Sequence, residues 1–113
     1  MRDDAAYLLD ILIAARDAQS FVSGVSWEQF ERSRLHQNAV LKAIEIIGEA
    51  AGRVSNEAKA THTEIPWPEI IGMRHRLVHG YFEVDSRKVW DTVEHDLPSL
   101  IALIEPLVPP EEV

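Results

Sequence analysis

A chain of 113 residues, 46% of them hydrophobic, suffices for one domain with a real core and leaves no room for a second. It contains no cysteine, which excludes disulfides, thiol chemistry and cysteine-based zinc sites and fits a reducing compartment. With 19 acidic residues against 11 basic ones the net charge is -8, the wrong sign for a protein that coats nucleic acid by charge alone, although a local phosphate site is compatible with it.

The first apolar run, "MRDDAAYLLDILIAARDAQ", is interrupted by Asp3, Asp4 and Asp10. No run approaches the roughly 18 residues that span a bilayer, and a signal peptide needs a basic start and an unbroken apolar middle. The expected location is the cytoplasm. Leu8, Ile11, Leu12, Ala15, Ala18 and Val22 instead recur at three and four, one face of a helix that Asp3 and Asp4 open and Gly24 ends. Ser26 with Gln29 three residues on reads as a capping box. From Trp27 to Val54 the pattern fits one long helix, or a short one followed by a long one. Gly48 within it marks a close helix contact or a tolerated glycine.

"SNEAKATHTEIP" is a polar connector with about one turn of helix. Pro68 and Glu69 suit the start of a helix running from about Trp67 to His79, which Gly80 stops. Asp85 caps a last helical region carrying Val89, Trp90, Val93, Leu97, Leu100, Ile101 and Leu107, and Pro98 should kink or divide it. The tail "PLVPPEEV" reads as frayed. No strand alternation or repeat is visible, so the fold expected is all-α, an antiparallel bundle of four or five helices in a single domain over residues 1–113.

One stretch stands out. "RHRLVHGY", Arg74 to Tyr81, gathers two arginines, two histidines and a tyrosine in an otherwise acidic chain. On a continuous helix Trp67, Ile70, Arg74, Leu77, Val78 and Tyr81 share one side, which puts Arg74 in or beside the core stripe. It would then need a partner, and Glu45 and Glu49 of the second helix are candidates. His79 lies five residues on, about 140° away, so the two converge only if the helix unwinds or two copies face each other. His75 and His79 have the i, i+4 spacing of a two-histidine metal grip, but no third ligand is apparent and Arg76 stands beside them. Ordinary solvated charge is the bland reading for these groups, and for Arg87 and Lys88. For Tyr81 the bland reading is a core aromatic.

Arg74, four residues, His79, one residue, Tyr81 resembles the R-x4-H-x-Y signature of HepT-like toxins, in the HEPN superfamily of helical RNA-cleaving domains. His75 supplies the polar residue that follows the arginine there. "IIGEAAGRVS" at Ile46 to Ser55, "IPWPEIIGMR" at Ile65 to Arg74, "VHGYFEVD" at Val78 to Asp85 and "VWDTVEHDLPSL" at Val89 to Leu100 resemble segments of the same family in the same order. The resemblance implies a homodimeric helical bundle and a metal-independent ribonuclease, with Arg74 and His79 catalytic and His75 and Arg76 supporting. It also implies a partner, a minimal nucleotidyltransferase antitoxin that uses ATP and magnesium to place AMP on Tyr81. The toxin itself would need no cofactor, and transfer RNA is one target class. Two other readings stand beside this one: a non-catalytic module that binds a nucleotidyltransferase or a nucleotide, and a bare scaffold that dimerises through Trp27, Trp67 and Trp90 or their neighbours.

Overall fold

The computed structural model describes residues 3–79 and 83–110. Helix α1 spans Asp4–Phe21, with Asp3 as its N-cap accepting the Ala6 N–H. Gly24 lies just beyond it at φ +76°, a left-handed conformation glycine adopts at no steric cost. Ser26 and Gln29 form the expected capping box of α2, Trp27–Glu31. Ser33 then caps α3, Arg34–Arg53, so the ambiguous segment is a short helix followed by a long one. Gln37, buried, donates to the carbonyls of Phe30 and Glu31 and closes the corner between them.

Helices α1 and α3 pack antiparallel. Asp4 accepts the Ser55 backbone N–H at 2.8 Å and its hydroxyl at 2.7 Å, joining the start of α1 to the end of α3. Ser55 in turn caps the short α4, Asn56–Thr61. Helix α5, Trp67–Ile71, leads into the residues that carry the motif. Helix α6, Ser86–Asp91, starts at Asp85 as expected and continues through a π turn, Thr92–Asp96, into α7, Leu97–Ile104. Pro98 explains the π turn: in a plain α-helix its ring would press on the Glu94 carbonyl, and the wider turn relieves this without ending the rod. The described part of the tail, to residue 110, is better held than expected, because a 3-10 turn at Glu105–Leu107 buries Val108; residues 111–113 lie outside the described residues.

One core unites these elements, with Ile11, Leu12, Phe30, Val40, Ile44, Ile47, Ile65, Val89, Leu97 and Ile104 fully buried in it. The fold is all-α apart from a two-residue antiparallel ladder, Val78–His79 (β1) against Glu83–Val84 (β2). The tryptophans serve the interior. Trp67 is buried and donates its indole N–H to the His62 carbonyl, while Trp27, Phe30 and Trp90 form one aromatic cluster. Arg87 covers this cluster, its guanidinium 4.7 Å from the Trp27 ring, and pairs with Asp91. Among the described residues no helix is long and apolar enough to cross a membrane.

Candidate active site

The helix expected from Trp67 to His79 ends early. Gly72 follows Ile70 and Ile71 and caps α5, and a 3-10 turn at Met73–Arg76 takes over. A glycine directly after an apolar run is a C-terminal signal that could have located this break. The change of winding redirects the side chains. At three residues per turn the position aligned with Ile70 is Met73, not Arg74. Met73 is accordingly buried, and the Arg74 side chain is 48% exposed. Of the two positions expected for Arg74, in the core stripe or beside it, the first is overturned.

After Leu77, buried, the chain enters β1, and the Asp85 backbone N–H donates to the Leu77 carbonyl at 2.8 Å. His75 and His79 thus lie in a 3-10 turn and a strand, so their backbones do not have the helical winding that the i, i+4 reading assumed. Among the described residues no three histidine, aspartate or glutamate side chains gather as a metal site. The His79 backbone pairs with Glu83. The placement of the His79 side chain, and all of Tyr81, fall outside the described residues.

Arg74 and His75 border a shallow depression of about 350 Å³ against α3, completed by Ile44, Glu45, Gly48, Glu49 and Ile71. Glu45, one of the two partners expected for Arg74, has an oxygen 4.0 Å from Arg74 Nε. The other, Glu49, lines the depression. Of the two readings of Gly48, a close contact or a tolerated glycine, the structure shows the first. A Cβ at this position would stand 3.3 Å from the Ile71 carbonyl oxygen and 3.5 Å from that of Ile70. A side chain there would press α5 away from α3 by a few tenths of an ångström, and Glu45 and Arg74 each lie three residues from that contact.

Arg76 points elsewhere. Its guanidinium donates to the Glu69 carbonyl at 3.1 Å and borders a mostly apolar cavity formed by Pro66, Ile70, Met73, Leu100 and Leu103. It also borders a second depression with Lys88, Thr92 and His95. Sequence reading grouped Arg76 with Arg74 and His75; the turn gives it different neighbours. Lys42 is the contributor that sequence reading passed over. It pairs with Glu45 at 3.9 Å, a contact its i, i+3 spacing would have signalled.

Comparison with known proteins identifies the family. The family described as "Ribonuclease HepT-like" matches positions 11–107. A Thermococcus cleftensis protein named "Probable ribonuclease HepT" is 42% identical over 106 residues, which cover 94% of this chain and 96% of that one. "Putative RNase MJ1380" of Methanocaldococcus jannaschii is 35% identical, over 92% of this chain and 95% of its own. "Putative RNase TTE0752" of Caldanaerobacter subterraneus is 33% identical, over 99% of this chain and 100% of its own. No solved structure matches.

Proposed function

Because the chain belongs to the HepT-like ribonuclease family, we propose that it is an endoribonuclease toxin that cuts RNA without a metal and is silenced by a nucleotidyltransferase antitoxin. The observation that carries this reading is the stretch "RHRLVHGY" within the matched residues, with Arg74 half-exposed at the edge of a depression and His75 beside it. RNA brings its own nucleophile. The 2'-hydroxyl attacks the adjacent phosphorus, the bond to the 5'-oxygen breaks, and the products are a 2',3'-cyclic phosphate and a 5'-hydroxyl.

One proton leaves the 2'-hydroxyl and one reaches the departing oxygen. Histidine titrates nearest neutrality, so His79 takes one of these steps, an effect worth typically ~10²–10⁴ in rate. His75, or His79 of a second copy in a homodimer, takes the other. Arg74 offers its planar fork to the non-bridging oxygens as charge builds on them. In this scheme the antitoxin joins the Tyr81 phenol oxygen to the α-phosphorus of ATP and releases pyrophosphate. The added phosphate then stands where substrate phosphate must bind.

Cleavage of RNA in EDTA, lost in His79→Ala with the melting temperature unchanged, is the expected result; equal cleavage by the two proteins sinks the reading. Intact mass after incubation with the antitoxin and ATP should rise by one or more AMP units, and Tyr81→Phe should abolish the gain. The net charge of -8 favours one competitor, a non-catalytic module that holds a nucleotidyltransferase or a nucleotide. Expressed alone, such a module would leave growth unaffected, whereas a toxin arrests it.

A further inference from the structure

Glu45 stands between two cations. One of its oxygens is 4.0 Å from Arg74 Nε and the other is 3.9 Å from Lys42 Nζ, a turn back on the same helix. Neither distance is that of a hydrogen bond. All three side chains are more than a third exposed, so both pairs are loose and screened. Their spacing is nevertheless set by the backbone. Gly48 follows Glu45 by three residues, Ile71 precedes Arg74 by three, and the close approach of Gly48 to the Ile71 carbonyl holds the two turns against each other.

We propose that Glu45 is a built-in competitor of the substrate: its carboxylate occupies Arg74 in the free protein and yields it to an RNA phosphate, retaining Lys42 as its partner. The identity of the anion rests on the ribonuclease reading above. The exchange runs toward phosphate because a bidentate, charge-assisted guanidinium–phosphate pair is stronger than an exposed carboxylate contact at 4.0 Å. It leaves no charge stranded, since Lys42 already touches the carboxylate that moves. Glu49 lines the same depression, so a second carboxylate adds negative charge there before substrate arrives. A small anion, with one contact to offer, is disfavoured there relative to a polymer that makes several.

Steady-state cleavage by Glu45→Gln tests the competition. At low salt KM for RNA should fall about two- to fivefold, the scale of an exposed ion pair, with kcat within about twofold. The gain should fade as ionic strength rises. Glu57→Gln, which removes the same charge from exposed α4, should leave KM unchanged. Affinity for a 2'-O-methylated RNA that cannot be cut supplies the second arm: Glu45→Gln should tighten it, and the gain should vanish when Arg74→Ala is added. A raised KM or a lowered kcat would mean that Glu45 orients Arg74 rather than competing for it. An equal gain from Glu57→Gln, or one that survives Arg74→Ala, would reduce the effect to bulk charge; either result overturns the proposal. Failure of the wild type to cleave would refute the ribonuclease reading alone, because the binding arm still decides the competition.

Discussion

Arg74 shows how much one residue's environment turns on local winding. In an α-helix it would lie against the core and its removal would unsettle the fold. In the 3-10 turn its side chain reaches half into solvent, with one long ion pair to Glu45. Arg74→Ala should therefore cost less than about 1 kcal/mol of stability, the ordinary range for an exposed pair. Cleavage should nonetheless be lost. Urea midpoints measured beside cleavage rates check both halves, and a bare scaffold would show the reverse pattern. The residue type and the motif were legible in the sequence. The exposure was not, because it depends on whether the position aligned with Ile70 is three residues on or four.

Packing between elements depends on a single absent methyl group at the α3–α5 contact. Alanine is the better helix former by about 1 kcal/mol, so propensity alone predicts that Gly48→Ala stabilises α3. The added Cβ would meet backbone carbonyls at 3.3 and 3.5 Å, and backbone yields less readily than a side chain. A net loss of about 1 kcal/mol is expected, with a lower melting temperature. Gly52 is the internal control. It lies on the same helix with nothing within 4 Å of its Cβ position, and Gly52→Ala should raise the melting temperature slightly. Both glycines look alike in the sequence, apart from the rule that an interior glycine hints at contact. Which of them bears the contact is a matter of the facing element.

Across the whole molecule, stability should follow the aromatic cluster and the α1–α3 closure. Phe30 is fully buried between Trp27 and Trp90. Phe30→Ala should cost ~3–5 kcal/mol, a large share of the stability of a small domain, read as a large drop in urea midpoint. The closure carries a pH signature. The Ser55 hydroxyl and backbone N–H, with Lys59 nearby, hold the Asp4 carboxyl below its ordinary pKa. A carboxyl whose folded pKa is lowered contributes above its unfolded pKa and loses that contribution as pH falls through the folded one. Wild type should thus exceed Asp4→Asn in stability at pH 7, and the gap should close on acidification below the usual carboxylate range. Denaturation midpoints taken down that range check the sign.

Periodicity, caps and breakers are local properties, written within a few residues of one another. The sequence by itself therefore determined the α1 stripe, the capping box at Ser26, the start at Asp85, the irregular winding near Pro98 and the family. The tertiary structure decided that Arg76 meets other neighbours than Arg74 does, and how near Arg74 stands to Glu45. Those outcomes depend on how closely α5 and its turn can approach α3. That distance is set by atoms far apart in the chain, and no pattern read along the chain encodes it.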